Sequence, residues 1–534
     1  MSSPHPGMSP FQGPQPATPA TSHRILRSYA LRNQTASQDA FTPAPPQIDN
    51  GDEALYGDKS GTYTKGILQT GIGLVDLPAY QSFRKALDSG NPSDFETIVT
   101  GGPRTQNGPQ GGLAFDLECL DNSQFTSPPA PALASEDYAT ELVELYWGSL
   151  LRDVAFTDYP TNATAIQAAN ELSAMPKYKG PRDATNKVTP QLLFRGGLAN
   201  GTFPGEVVGP YISQFLVKST AFGTLPIEQK YKTLKGNTDF MTDASTFLKV
   251  QNGQPTGQSL TFLPPVYMHD GRGLSAYTHE DVLYEAYFIA YLVMNSIGVP
   301  LNPDNPYKMS TTQNGFGTWG GPDIAATLAA VAKAAINAVW YQKWFVHLRH
   351  RPESGGAIAH LIKTGQANTI EGQLDPAVLN SQALQTSFSN YGTYFLSQAF
   401  PEGSPTHPAY PTGHGTVAGA CITVLKFFYD CERKFTDFAT PQVSANDGTS
   451  LNDYADADAN QMTVSGELHK LAHNISFGHG IHAGIHWRSD TDTSLLLGEA
   501  VALSMLQDCA RTYNERFSVN VTKMDGSVAM ISNP

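Results

Sequence analysis

Two histidines, His407 and His414, stand seven residues apart in the segment PTHPAYPTGHGTVAGAC (405–421) and bracket a tight Pro-Thr-Gly turn. Gly413 and Gly415 flank His414, so the backbone there is free to turn sharply and to approach a ligand closely. The residues that follow, Val417, Ala420, Cys421, Val424, Leu425 and Phe428, recur at the spacing of one apolar helix face. The turn therefore opens into the N-terminus of a buried helix, where free N–H donors and the positive end of the helix dipole converge. That is a pocket for an oxyanion, with a histidine in it.

Two further segments carry groups of the same chemistry. In Lys343-WFVHLRH-Arg351-Pro352 the lysine offers a point charge and the arginine a planar fork that bonds two oxygens at once. Lys343 continues an apolar stripe of Ile324, Leu328, Val331, Ala335 and Val339, so its side chain is expected to point into the core or a cleft. Pro352 is read as ending that helix, leaving Arg351 at its edge. In GHGIHAGIHWRSD (478–490), His486 precedes Asp490 by four residues, a spacing that lets the carboxylate accept one imidazole N–H and fix the tautomer. The other ring nitrogen is then free as a ligand or nucleophile. A different reading of this segment places His479, His482 and His486 on one helix face, as ligands for a divalent cation in a metal-binding or structural protein.

The elements that must position these groups are helical. Ser135 caps a helix over about 135–150, and shorter ones are expected near Thr164–Ala174, Tyr211–Thr220 and Asp239–Val250. The pattern is clearest over 279–297, which starts at a capping box of Thr278 and Asp281 and stops at Gly298. Asp323–Trp344 follows, then about 415–430, 463–477 and 491–513. Strand alternation is scarce. The chain is expected to be all-α, with helix bundles joined by long loops. Residues 1–50, rich in Pro, Ser, Thr and Gln, read as an extended arm. Residues 51–270 read as a mostly helical N-terminal part, irregular up to 134, and 271–534 as the bundle that carries the site.

Composition bounds the partners. A formal charge of −14 and no basic stripe argue against nucleic acid. Cys119, Cys421, Cys431 and Cys509 lack metal-like spacing and read as buried thiols. Neither a secretory leader nor an apolar run long enough to span a bilayer is visible, so no membrane association and a cytoplasmic location are expected.

Taken in order, the three segments resemble the signature shared by vanadium-dependent haloperoxidases and the related acid phosphatases: Lys…Arg-Pro, then Pro-Ser-Gly-His, then Arg…His…Asp. The eight-residue gap between Lys343 and Arg351 is similar to that of the algal bromoperoxidase branch. Further resemblance to that branch runs through TKG (64–66), LAFDLE (113–118), LLFRGGL (192–198), GEVVGPYISQF (205–215), DFMTD (239–243), YEAY (284–287) and LLLGEAVA (495–502). The resemblance implies two four-helix bundles, a homo-oligomer, a vanadate cofactor, and oxidation of bromide or iodide by hydrogen peroxide for transfer to an organic acceptor. It implies that Lys343, Arg351, Thr412, Gly413 and His414 hydrogen-bond vanadate, with Thr412 replacing the usual serine. His486 would bind vanadium, His414 would act as general base, and His407 would stand beside the halide. The alternative within the superfamily is a phosphatase that forms a phosphohistidine at His486. One departure stands out: the family arginine, six residues before the metal-binding histidine, falls on Gly480. His482 or His479 is expected to donate in its place, His482 being preferred because it precedes His486 by one helical turn.

Overall fold

The structure, a computed structural model, describes residues 18–196 and 202–534. The start of the N-terminal arm and the end of the LLFRGGL segment lie outside the described residues. Among the described residues thirteen helices of eight residues or more follow one another. The first seven are α1 (Pro19–Phe41), α2 (Leu77–Ser89), α3 (Glu136–Leu150), α4 (Ala163–Ala174), α5 (Ala244–Gln251), α6 (Gly271–Glu280) and α7 (Glu285–Ile297). Then come α8 (Gly321–Tyr341), α9 (Pro352–Lys363), α10 (Gln382–Tyr391), α11 (Gly413–Phe428), α12 (Val464–Phe477) and α13 (Arg488–Thr512). Strands occur only as short antiparallel pairs among the described residues. Helices α8, α11, α12 and α13 pack into one bundle, and α3 packs with α4, α9 and α10 in a second helical group.

The bundle is built around α11, every residue of which is buried. Its sequence allows an unusually close approach by α13. A Cβ added at Gly419 would lie 2.0 Å from the Leu495 carbonyl oxygen, and one at Gly498 would lie 2.0 Å from that of Thr416. Gly415 meets the Ser494 hydroxyl in the same way, at 1.9 Å. Gly415 is thus small to seat α13, not to admit a ligand. This crossing sets His414 at the start of α11 beside the turn that leads into α13. Gly498→Ala is expected to push the helices apart and to cost about 1–3 kcal/mol or more by overpacking, read as a lower urea midpoint. An unchanged midpoint would show that the crossing is looser than described.

Several expectations are corrected. The segment 19–41 is not extended: Thr18 caps α1 and Pro19 fills its first turn, yet no residue of this helix is buried. The 279–297 helix is broken. Helix α6 ends at Glu280, Asp281 is extended, and α7 starts only at Glu285 before stopping at Gly298 with φ 80° as expected. No helix spans 211–220; a single 3-10 turn (Gln214–Leu216) and a short strand (Thr220–Phe222) stand there. Helix α2, capped by Asp76 and burying Ala79, Tyr80, Phe83, Ala86 and Leu87, lies in the stretch expected to be irregular. Residues 51–270 are otherwise mostly loops, 3-10 turns and strand pairs rather than helix. The principal core is one cluster running from Tyr56 to Ile531, so the two parts do not have separate cores. Helix α8 and its extension, Gly321–His347, are long and apolar enough to cross a membrane; half of that window is buried inside the protein, as befits a bundle core helix.

Candidate functional site

Lys343 is delivered by a change of helix type. Helix α8 continues as a π turn over Gln342–His347, and Leu348, with φ 45°, ends it in the left-handed region. A π turn holds one residue more than an α turn and so re-aims the side chains after it. Lys343 is fully buried, and its ammonium donates to the carbonyls of Pro408 (2.9 Å) and Ala409 (2.8 Å). Pro352 starts α9 rather than ending α8, and Arg351 is the N-cap residue of α9. Burial, and then the Arg351 charge, push the Lys343 ammonium well below the ordinary lysine range.

Arg351 is the hub. Its Nε donates to the His407 carbonyl at 2.8 Å, and its Nη1 to the Ile485 carbonyl at 2.9 Å and to His486 Nε2 at 2.8 Å. Its Nη2 lies 3.2 Å from His407 Nε2. Burial, partly offset by Asp490, brings the guanidinium down to about 10. His486 is fully buried, and its Nδ1–H donates to Asp490 Oδ2 at 2.8 Å. The pairing is as expected, but the geometry is not that of one helix face: α13 begins only at Arg488, and Asp490 reaches back across its N-terminus. Asp490 Oδ1 accepts from Arg349 Nη1 at 2.8 Å, and Arg349 Nη2 donates to Glu141 at 2.9 Å, so a buried chain of charges holds the imidazole from α3. With Nδ1 protonated, His486 presents the Nε2 lone pair to the site. Burial, and then Arg351, hold its pKa well below the usual histidine range.

His407 lies 4.7 Å from the Trp340 ring, and its Nδ1 is 3.1 Å from the Pro408 carbonyl. Burial and Arg351 keep it neutral. His414 Nε2 donates to Asp281 Oδ1 at 3.0 Å, which leaves Nδ1 the lone pair in the neutral ring. Asp281 is a site residue that the sequence reading assigned to a helix cap. The break between α6 and α7 is what turns its carboxylate inward. His479, in a second π turn (Gly478–His482) that extends α12, stacks on His414 at 3.9 Å and lies 5.2 Å from His486.

His482 is not at the site. Its Nε2 is 3.2 Å from the Tyr211 hydroxyl, its ring packs edge-on against Phe156 and Phe194, and Gly271 sits against its Nδ1. The π turn sends His479 and His482 in different directions, where an α-helix would have put His482 above His486. The three-histidine cation site fails for the same reason: among the described residues no group of three or more His, Cys, Asp or Glu converges to hold a metal ion.

Lys343, Arg351, His407, Thr412, Gly413, His414 and His486 do come together. A cavity of about 320 Å³ opens beside them, lined by His407, Gly413, His414 and His479 within and by Arg104, Asp281, Trp340 and Glu402 outward. The donors fit a tetrahedral anion such as vanadate. Thr412 is the N-cap of α11, yet its side chain makes no cap hydrogen bond, and its buried Oγ1 has no partner among the described residues. Lysine has three N–H donors, of which two are used by carbonyls here. Arg351 spends one donor on the nitrogen that would bind vanadium, and an oxyanion would take that bond as a stronger, charge-assisted one. An anion between Lys343 and Arg351 also removes the repulsion that lowers the lysine pKa. A larger cavity, about 910 Å³, lies between α1 and the body, where Arg24, Arg27, Asp116 and Lys333 mix charges of both signs; it shares no lining residue with the site.

Residues 323–515 match the family model described as the second helical-bundle domain of VCPO. Over 95% of its length the chain is 30% identical to a vanadium-dependent bromoperoxidase of Corallina officinalis, covering 98% of that protein. It is 32% identical to one of Ascophyllum nodosum, over 90% of this chain and 87% of the relative. The homohexameric structure of a second vanadate-dependent bromoperoxidase from Ascophyllum nodosum superposes with a TM-score of 0.89 at 28% identity, covering 100% of this chain and 94% of that one.

Proposed function

Since the chain belongs to the vanadium-dependent bromoperoxidase family, we propose that it is a vanadate-dependent haloperoxidase that oxidises bromide or iodide with hydrogen peroxide. The observation that carries this reading is the buried cluster in which Arg351 bonds both His486 and His407, Lys343 bonds the carbonyls of Pro408 and Ala409, and Thr412 Oγ1 is left without a partner among the described residues, beside the cavity lined by His407, Gly413 and His414. His486 Nε2 would bind vanadium. Lys343, Arg351, Thr412 Oγ1 and the first amides of α11 would hold its oxygens. Vanadate would supply a Lewis-acidic centre that activates peroxide to accept two electrons from halide, without a change in metal valence.

The protein's own groups do the rest. Asp281 holds the Nε2–H of His414, so Nδ1 is the basic nitrogen that takes a proton from hydrogen peroxide. Asp490 and Arg349 keep His486 in the tautomer with Nε2 unprotonated. Trp340 and His407, with ring centroids 4.7 Å apart, both line the cavity and form a wall suited to a weakly hydrated halide. An organic acceptor and a homo-oligomeric assembly complete the proposal; the exposed Ile25, Leu26 and Tyr29 of α1 support the latter.

Bromination by metal-stripped protein, titrated with orthovanadate, tests the reading. Activity is expected to be absent at first, to return saturably, and to be competed by phosphate. Restoration by zinc but not by vanadate would refute it. Within this scheme His407→Ala is expected to lower bromide turnover severalfold while changing vanadate affinity much less. Loss of vanadate retention with intact turnover of the bound fraction would reverse that role.

A further inference from the structure

The sector of the site next to His486 has no side chain at Gly480. A Cβ there would meet His486 Cβ at 3.2 Å and Thr491 Oγ1 at 3.6 Å, so the position is tight as well as bare. The π turn over Gly478–His482 answers this. Because an i→i+5 turn takes up one extra residue, it shifts the phase of the helix by about 100°. The residue brought to the cavity wall is then His479. The residue is 7% exposed and lines the cavity, and its ring centroid is 3.9 Å from that of His414 and 5.2 Å from that of His486. Its Nδ1 is buried with no hydrogen-bond partner among the described residues, an expensive condition for a polar atom. Among the described residues no carboxylate bonds the His479 ring, in contrast to His414 and His486, which are each held by an aspartate.

We propose that His479 is an oxyanion-binding residue of this site, donating a ring N–H to a vanadate oxygen in the sector that Gly480 leaves without a side chain. The inference rests on the reading of the site as a vanadate pocket and adds to it a donor delivered by the one-residue expansion of α12. Stacking on His414 fixes the plane of the ring, so the donor is pre-aimed.

Calorimetric titration of the full-length, metal-stripped protein with orthovanadate reads this directly, without turnover. His479→Ala and His479→Phe are expected to weaken binding about tenfold. The phenylalanine keeps a ring against His414 and lacks the N–H, which separates donation from packing even if the alanine variant folds poorly. His479→Asn and His479→Gln place an amide N–H near Nδ1 and Nε2 respectively, and one of the two is expected to bind within about threefold of wild type. His482→Asn is expected to bind as wild type does. Wild-type affinity in His479→Phe would overturn the proposal while leaving the vanadate pocket in place. Weakening by every His479 variant alike, amides included, would also overturn it, in favour of a packing role. A wild-type protein that takes up no vanadate would overturn both readings together.

Discussion

His486→Ala is expected to abolish measurable vanadate binding, a loss of at least about a hundredfold in affinity. Two effects combine. The variant lacks the ring nitrogen that faces Arg351 and that the Nδ1–H bond to Asp490 leaves unprotonated. It also leaves Arg351 Nη1 and Asp490 Oδ2 each short of a partner they now have. Loss of a single charged hydrogen bond costs about 1.5–3 kcal/mol, and an inner-sphere ligand contributes more than that. Equilibrium dialysis against orthovanadate checks it. The fold should survive, because Asp490 keeps its bonds to the Trp487 amide and to Arg349; a far-UV spectrum of the variant verifies this. Retention of vanadate by a folded His486→Ala would place the anion elsewhere.

Asp490→Ala is expected to damage both stability and binding. The carboxylate accepts from His486 Nδ1, the Trp487 amide and Arg349 Nη1, and every one of these donors is buried. Removing one member of a buried charge network leaves the others uncompensated, typically at a cost of about 3–5 kcal/mol. Here Arg349 would keep Glu141 as its one charged partner and the Ser489 hydroxyl as a neutral one, with its guanidinium buried beside Tyr410 and Trp487. Freed from Asp490, His486 could place its proton on Nε2, so vanadate affinity should fall by a further ~10- to 100-fold. Urea denaturation and vanadate titration measure the two effects separately. A stable variant with weakened vanadate affinity would show that Asp490 acts through the tautomer alone. A variant with unaltered affinity would remove it from the site's support.

Much of this site was legible because burial and charge conflict in the sequence. A lysine at the end of an apolar stripe has to be explained, and Lys343 is indeed fully buried beside two carbonyls. The i, i+4 pair His486 and Asp490 likewise predicts a bond that exists. The misreadings share a cause. A 3.6-residue period detects α-helix, and both π turns depart from it by a single residue, which no pattern in one sequence marks. Hence His482 was placed over His486 when the turn in fact presents His479. Helix α7 is apolar on nearly all faces, so its pattern does not show where it starts. The break at Asp281 is imposed by tertiary structure, through the bond to His414. Helix α1 is invisible to a core-seeking reading because it buries nothing within this chain.

The central claim is that one vanadate ion sits where Arg351 and His486 now meet. Crystals of the protein soaked in orthovanadate, with data collected at the vanadium absorption edge, locate it. The expected result is a single anomalous peak within bonding distance of His486 Nε2, with Arg351 turned from that nitrogen to the anion's oxygens and Thr412 Oγ1 within hydrogen-bond reach. A peak elsewhere, or an intact Arg351–His486 hydrogen bond at saturating vanadate, would contradict the account.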